Sequence, residues 1–321
     1  MKEITEVLQR VAVRLFNEGV ELFIGYEAGT GALKARPFFA TGREEAAALV
    51  LNPFCVHNLV KYLTRFPNKK TAVIVKGCDS GAVERLVQER NLDRAKITAV
   101  GVPCGGMLVR ERVMADLPQD AKVEAITDRG DAYVLHTHKG ERVFAKKAYL
   151  MEKCLVCRQN NPDGVDLMLG KEAPPVADPA ADPFGWVREV EVLTPSEKAD
   201  FWDRQLSRCL RCYACREVCP ACSCIDCCFE QAVPGWQQGA TWLSKAVSLP
   251  NNYHYHLIRA FHVAGRCAGC GECERVCPVG IPLMLLNKKL AKEIEELFGR
   301  PAPDAPTVLC TYSPGDRDEF S

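Results

Sequence analysis

The feature that most constrains this chain is a cysteine pattern that occurs twice with the same spacing. The first copy consists of Cys209, Cys212, Cys215, Cys219 and Pro220. The second copy consists of Cys267, Cys270, Cys273, Cys277 and Pro278. Thiolates at such short intervals can surround one small inorganic centre, so each run is expected to fold with its sulfur atoms close together.

Both runs read C-x2-C-x2-C-x3-C-P, the spacing of bacterial ferredoxins that hold two 4Fe–4S clusters. Three closely spaced thiolates hold one cluster, and the fourth thiolate of the run holds the neighbouring cluster. By this rule one cluster has the ligands that we call the Cys209 set: Cys209, Cys212, Cys215 and Cys277. The other has the ligands that we call the Cys267 set: Cys267, Cys270, Cys273 and Cys219. A pair of zinc sites is the alternative, but zinc ribbons combine their C-x2-C units two by two.

Composition narrows the class of protein. The chain has 321 residues, enough for two domains, and 18 cysteines. With no signal peptide at its start, so many cysteines favour metal ligation over disulfides and predict a cytoplasmic protein of an anaerobe. The formal net charge of +0 gives no sign of a nucleic-acid partner, and no apolar run is long enough for a membrane span.

The amino-terminal part has the pattern of an α/β domain. Two apolar runs, 71–75 and 97–102, alternate with helical patterns, which predicts a mostly parallel sheet. Cys78 and Cys104 each follow one of these runs, and sites in such sheets lie at the carboxyl ends of the strands. The two thiols are therefore candidate ligands, although a buried inert cysteine is the common alternative.

The predicted domain boundaries follow from proline content and helix signals. Residues 1–170 form the α/β domain, and the proline-rich stretch 171–193 is a linker. Residues 194–300 form a ferredoxin-like, two-cluster α+β module embedded in helices, beginning with a capping box at Thr194–Glu197. Residues 301–321 are an extended tail.

Residues 1–170 resemble the beta-subunit family of deazaflavin-coenzyme-reducing hydrogenases and formate dehydrogenases. The resemblance rests on Gly77-Cys78 within 73–86, on Cys104 at the end of 100–104, and on Cys154-Leu155-Val156-Cys157 followed by 165–170. It implies that Cys78, Cys104, Cys154 and Cys157 hold one 4Fe–4S cluster, normally next to a flavin such as FAD. The stretch before the first strand is short and lacks the glycine-rich flavin segment of that family, which argues against FAD.

Residues 205–285 look like the two-cluster module of anaerobic sulfite reductase and sulfhydrogenase iron–sulfur subunits. The marker is the continuation of the first run as C-P-x-C-x-C over 219–224, with Trp236 and Arg266-Cys267 further on. A plain ferredoxin does not have this continuation.

Cysteines outside the two runs and the amino-terminal four form a further group. Cys222, Cys224, Cys227 and Cys228 lie within seven residues. A fourth cluster held by Cys222, Cys224, Cys227 and Cys55 is one interpretation, and a zinc site or a reactive dithiol are the others. Cys310 is expected to be a plain thiol.

The predicted function is an iron–sulfur electron-transfer subunit that relays single electrons through several 4Fe–4S clusters. No catalytic residue could be assigned, so an electron relay is favoured over an independent catalytic site. Expected partners are other redox subunits: a hydrogenase, a formate dehydrogenase or a heterodisulfide-reductase-like protein. The alternative is a flavin-containing oxidoreductase subunit that passes electrons between a deazaflavin or nicotinamide hydride carrier and the clusters.

Overall fold

A computed structural model describes residues 2–30, 33–224, 227, 229 and 246–299. The chain divides into two compact units, the first ending at Pro183 and the second beginning at Phe184. None of the helices in these ranges combines the length and apolar character needed to cross a bilayer. Cys228, Trp236, Cys310 and the predicted tail, residues 301–321, lie outside the described residues.

The first unit contains the predicted sheet. Its strands, in chain order, are β1 (Leu22–Ala28), β2 (Ala35–Ala40), β3 (Thr71–Val75), β4 (Ile97–Gly101), β5 (Val123–Asp128), β6 (Ala132–Thr137), β7 (Gly140–Ala145) and β8 (Leu167–Met168). Five of them form one sheet in the order β2-β1-β3-β4-β8, in which only the β1–β2 pair is antiparallel. The prediction of a mostly parallel sheet is therefore confirmed.

The sequence explains why β3 and β4 occupy the middle of this sheet. All five residues of β3 are buried, and four of the five in β4 are. Such continuous apolar runs are typical of strands that are covered on both faces. The cysteines that follow these strands, Cys78 and Cys104, therefore start from fixed positions at one edge of the sheet.

Helices and a second sheet complete the first unit. The helices are α1 (Lys2–Asn17), α2 (Gly77–Gln88), α3 (Arg110–Asp116), α4 (Lys146–Tyr149) and α5 (Glu152–Leu155), with 3-10 helices at Arg43–Ala48, Val60–Arg65 and Arg94–Lys96. Strands β5, β6 and β7 form an antiparallel sheet in that order. Apolar residues of this sheet pack with Met107, Leu108 and Leu150 around the buried Cys154. The second sheet thus supports the segment that carries the C-x2-C pair.

The second unit is helical in its described part. Its helices are α6 (Gly185–Glu191), α7 (Pro195–Leu206), α8 (Ala214–Glu217), α9 (Leu249–Val263), α10 (Glu272–Arg275) and α11 (Leu283–Phe298). The capping box at the start of α7 forms as predicted: Thr194 Oγ1 accepts from the Glu197 amide at 3.3 Å, and Glu197 Oε2 accepts from the Thr194 amide at 2.8 Å.

Helix α6 falls within the stretch predicted as linker, and the sequence interpretation missed it. Val187 on α6 and Phe184 before it pack against Leu285 on α11, which makes this segment part of the second core. Burial of these apolar side chains is what stabilises so short a helix.

Candidate metal centres

The Cys209 set lines one cavity in the second unit. Cys209, Cys212, Cys215 and Cys277 all border this cavity. The thiols are also electrostatic neighbours, since Cys209 and Cys215 both interact with Cys277. The first three cysteines of one run and the last cysteine of the other therefore lie at the same cavity.

The Cys267 set lines a second cavity in the same unit. Cys219, Cys267, Cys270 and Cys273 border this cavity. Cys273 interacts electrostatically with all three of the others. The last cysteine of the first run thus lies with the first three cysteines of the second run.

The two runs use the same backbone path to gather their sulfur atoms. In the first run Arg211 and Tyr213 have φ angles of 54° and 59°. In the second run the equivalent positions are Gly269 and Gly271, with φ angles of 67° and 72°. Glycine adopts this left-handed region without a Cβ penalty, whereas other residues pay about 1 kcal/mol or more. A short helix, α8 or α10, then carries the third cysteine of each run.

Interactions of Arg211 hold the left-handed path in the first run, where no glycine is available. Its guanidinium donates to the Asn251 carbonyl oxygen at 2.6 Å and lies 4.7 Å from the centroid of the Tyr255 ring. Both contacts come from helix α9, which packs beside the cavity. Tertiary packing therefore offsets the backbone strain of the left-handed residue Arg211 in the first run. In the second run the equivalent residue is a glycine, which adopts this conformation without that strain.

Backbone amides and side chains donate hydrogen bonds to the sulfur atoms. The Arg211 amide lies 3.4 Å from Cys209 Sγ, and the Ile281 amide lies 3.3 Å from Cys277 Sγ. Asn287 Nδ2 donates to Cys273 Sγ at 3.5 Å. Hydrogen bonds to ligand sulfur atoms are one of the means by which proteins adjust the potential of iron–sulfur clusters.

Helix α9 adds two groups that the sequence interpretation did not single out as part of the site. His256, only 2% exposed, places Nε2 3.3 Å from Cys209 Sγ. Tyr255 Oη lies 3.4 Å from Cys215 Sγ. The missed signal is the recurrence of polar side chains at helical spacing, since Asn252, Tyr255, His256 and Arg259 all lie on the buried face of α9.

Burial makes bare thiolates unfavourable at both centres. Desolvation raises the pKa of the Cys209 and Cys215 thiols and raises the pKa of Cys273 well above its ordinary value. Cys219 differs, because a hydrogen bond with the Cys222 side chain lowers its pKa to about 6. Buried sulfur ligands of this kind become thiolates when they bind iron, because the metal supplies the missing positive charge.

A buried cation lies among these cysteines. Arg259 is 2% exposed, and its Nη2 donates to the Cys215 carbonyl oxygen at 3.0 Å. Its Nε has no hydrogen-bond partner, and within the described ranges it forms no ion pair with a carboxylate. Its main electrostatic partners are Cys219, Cys215, Cys273 and Cys222. A buried guanidinium without a carboxylate needs another negative charge nearby, and thiolate-bound clusters would supply it.

In the first unit, the amino-terminal four cysteines also come together. Cys104 interacts electrostatically with Cys154 and Cys157, and Cys78 interacts with Cys104. Burial raises the pKa of the Cys104 thiol to about 11 and that of Cys78 well above its ordinary value. At Cys78 and Cys104, as at Cys209 and Cys215 in the second unit, burial therefore disfavours the thiolate unless a metal binds it.

The segment after Cys157 ties this group together. The Cys104 amide donates to the Asn160 carbonyl oxygen at 3.0 Å. Gly77, directly before Cys78, packs so closely on the same segment that a Cβ there would lie 2.0 Å from the Gln159 carbonyl oxygen. Glycine is therefore required at position 77 because another backbone approaches it.

A buried ion pair lies beside the Cys78 thiol. Lys76 Nζ contacts Asp79 Oδ2 at 2.8 Å, with 4% and 1% of the two side chains exposed. The ammonium also donates to Tyr26 Oη at 2.6 Å and to the His57 carbonyl oxygen at 2.7 Å. Burial by itself lowers the pKa of Lys76, but Asp79 and Tyr26 together raise it well above its ordinary value. Lys76 is thus a permanent positive charge next to Cys78.

The cysteines of the predicted fourth cluster fall in both units. Cys55 is buried in the first unit, where the Asn52 amide donates to its Sγ at 3.4 Å, and burial raises its pKa to about 12. Its electrostatic neighbours there include Lys76 and Cys104. In the second unit Cys222 lies beside Cys219 and Cys224 is exposed. Cys227 Sγ accepts from Arg216 Nε at 3.0 Å.

No group of three or more His, Cys, Asp or Glu side chains that could hold a metal ion is found among the described residues. The cysteines of the Cys209 and Cys267 sets instead border two cavities, four cysteines to each. Four thiolates around one centre are the donor set that 4Fe–4S clusters take.

Comparison with known proteins assigns the second unit's motif to a family. Residues 205–281 match the family model described as a 4Fe-4S dicluster domain. Iron–sulfur clusters are therefore the cofactor of this region.

Two curated relatives extend over most of the chain. The F420-dependent formate dehydrogenase subunit beta of Methanocaldococcus jannaschii is 24% identical over 338 residues, covering 87% of this chain and 86% of the relative. The F420-dependent formate dehydrogenase 1 subunit beta of Methanococcus maripaludis is 24% identical over 356 residues, covering 90% and 89%. A chain of the F420-reducing NiFe hydrogenase complex from Methanosarcina barkeri aligns with a TM-score of 0.41 at 18% identity, covering 49% of this chain and 62% of that one.

These similarities confirm the predicted resemblance to formate dehydrogenase beta subunits. They also confirm the prediction of an iron–sulfur electron-transfer subunit, because the relatives are redox subunits and the motif region is a 4Fe-4S domain.

Proposed function

We propose that this chain is the electron-relay subunit of a redox complex related to F420-dependent formate dehydrogenases, and that it carries three 4Fe–4S clusters. Two clusters are held by the Cys209 and Cys267 sets, and the third by Cys78, Cys104, Cys154 and Cys157. The observation that supports this most strongly is the exchange of Cys219 and Cys277 between two cavities, each lined by four cysteines.

The chemistry that the clusters supply is the uptake and release of one electron each, without bond making in the protein. The chain's own residues position the sulfur ligands, exclude water by burying them, and donate hydrogen bonds to them. The apolar core around Cys215 and Cys273 includes Tyr255 and Ile281, so both cysteines are shielded from solvent. Such shielding limits reactions of the reduced clusters with water and oxygen.

A complex with other redox subunits follows from this role. A relay accepts electrons at one end and delivers them at the other, so it needs a donor and an acceptor. The curated relatives are named as subunits of formate dehydrogenases, and a formate-oxidising subunit is the partner that these names favour.

A flavin-containing subunit is the second candidate. An enzyme that exchanges a hydride with a deazaflavin or nicotinamide and then feeds one-electron clusters needs a group capable of both steps, and flavins are capable of both. The names of the relatives as F420-dependent enzymes favour this candidate. Acid extraction of the purified protein distinguishes the two candidates. Stoichiometric flavin in the extract supports the flavin-containing subunit, and an extract without flavin supports an electron relay that uses clusters only.

Ligand substitution tests the assignment of clusters. In anaerobically prepared full-length protein, Cys212→Ser, Cys270→Ser and Cys104→Ser should each remove or alter a different paramagnetic centre in EPR spectra and leave the other two. Cys224→Ser is the matched control, because Cys224 is exposed and lies outside the three proposed sets. An iron content that falls in Cys224→Ser would instead support the fourth cluster with Cys55, Cys222 and Cys227.

The contrary result is equally specific. If Cys219→Ser alters the centre that Cys212→Ser alters, and not the one that Cys270→Ser alters, the exchange of the fourth cysteine is not the ligation scheme. If Cys104→Ser leaves all centres unchanged, the first unit holds packed thiols and no cluster.

A further inference from the structure

We infer that Arg259 is a cation shared by the two clusters of the second unit and that it raises the reduction potential of both. This inference rests on the proposed function, because it requires clusters at the Cys209 and Cys267 sets. It concerns a residue that belongs to neither cysteine run and that lies on helix α9.

Arg259 lies on the buried face of α9, along the stretch of the helix that borders both cavities. Its guanidinium donates to the carbonyl oxygen of Cys215, a member of the Cys209 set. His256, one turn before Arg259, lines the cavity of the Cys209 set, and Val263, one turn after it, lines the cavity of the Cys267 set. Electrostatic interactions with ligands of the Cys267 set agree with this position.

Arg259 also lacks a conventional counter-ion among the described residues. Within those residues it is buried, makes one hydrogen bond to a neutral carbonyl oxygen and leaves Nε without a partner. An uncompensated buried charge is strongly unfavourable. Because arginine stays protonated under all ordinary conditions, the cysteine ligands and their clusters are the negative charge that the described part of the chain offers it.

Two other cations, Arg211 and Lys288, lie beside the first and the second run, respectively. Arg211 interacts with Cys209, and Lys288 interacts with Cys267. Lys288 is on α11, and the distance from its Nζ to the Cβ position of Gly269 is 3.6 Å, next to the second run. This contrast supplies a control, since removing Lys288 removes the same charge from one centre only.

The electrostatic consequence follows from the charge change on reduction. Each electron adds one negative charge to a cluster, and a nearby positive charge in a low-dielectric interior stabilises the more negative state. Reduction of one cluster also disfavours reduction of its neighbour, and a cation near both centres offsets part of that cost because it stabilises each reduced cluster. Arg259 thus makes it easier for the pair to hold electrons at the same time.

The test is an EPR-monitored redox titration of the anaerobically prepared full-length protein. Arg259→Met keeps the length of the side chain and removes the charge. We expect it to lower the midpoint potentials of both clusters, with at least a tenfold change in each reduction equilibrium, equivalent to 59 mV for one electron. Lys288→Met should lower the midpoint potential of only the centre assigned to the Cys267 set. Arg259→Lys should restore most of the lost potential at both centres, because it restores the positive charge.

Several results would overturn the inference. Unchanged midpoints in Arg259→Met, or a shift of one centre only, mean that the cation is not shared. If Arg259→Met does not assemble clusters, a shared role predicts that both are lost together and that Arg259→Lys recovers both, whereas loss of one alone contradicts it. Wild-type protein that contains no iron and sulfide would contradict the proposed function itself, a result that is distinct from unchanged midpoints in the variant.

Discussion

Replacing Gly77 by alanine should remove the cluster that we propose for the first unit and leave those of the second unit intact. A Cβ at position 77 would lie 2.0 Å from the Gln159 carbonyl oxygen and 2.9 Å from the Asn160 carbonyl carbon. Real Cβ contacts essentially never fall under 3.0 Å, so the two backbones must separate by about 1 Å.

That displacement is large compared with what a metal site tolerates. Plausible ligand distances in metal sites lie within about 0.2 Å of their ordinary values. The Gln159–Asn160 segment follows Cys157 by two residues and is bonded to the Cys104 amide, so moving it displaces ligands relative to Cys78. A separation of about 1 Å therefore exceeds the tolerance several-fold.

Gly81→Ala is the matched control. Gly81 lies on the same helix α2, and a Cβ there would meet nothing within 4 Å. Alanine in a helix interior is favoured over glycine by about 1 kcal/mol, so this variant should keep all centres and be slightly more stable. The assay is iron and acid-labile sulfide content together with EPR of the reduced protein. A Gly77→Ala protein that retains all of its centres would refute the reasoning, as would equal losses in both variants.

Two further predictions test the surroundings of the clusters. Asp79→Asn should lower the free energy of unfolding by about 3 kcal/mol, because it leaves the buried Lys76 ammonium without its carboxylate. The double variant with Lys76→Met and Asp79→Leu should lose less stability than this single change, and denaturant unfolding measures both variants. A loss under 1 kcal/mol for Asp79→Asn would contradict the burial of the pair. Gly269→Ala should lower the free energy of unfolding by about 1 kcal/mol, because the residue has a φ of 67°, although a Cβ there has room. Heating should then release the cluster proposed for the Cys267 set at a lower temperature than in the wild type. Unchanged thermal release would show that the left-handed conformation is not needed there.

The cysteine grouping of the second unit could be predicted from sequence because it follows a local spacing rule. Three ligands lie within seven residues of one another, and the proline after the fourth marks the end of the run. The parallel sheet could be predicted for a similar reason, since the apolar run of β3 is five residues long and uninterrupted.

Other features depend on tertiary packing and could not be predicted in this way. His256 and Arg259 reach the cysteines only because α9, which begins 29 residues after the first run ends at Pro220, packs beside both cavities. Their spacing on one helix face identifies them as buried, but only the fold shows what they are buried against. Helix α6 was missed because its proline-rich approach favours extended chain, while its stability comes from packing on α11.

The central claim is that the cysteines of this chain hold iron–sulfur clusters, and metal analysis of the anaerobically purified full-length protein tests it most directly. The account predicts iron and acid-labile sulfide in equal amounts, with four of each for every one of three clusters, and no stoichiometric zinc. Zinc in place of iron, without acid-labile sulfide, would contradict it.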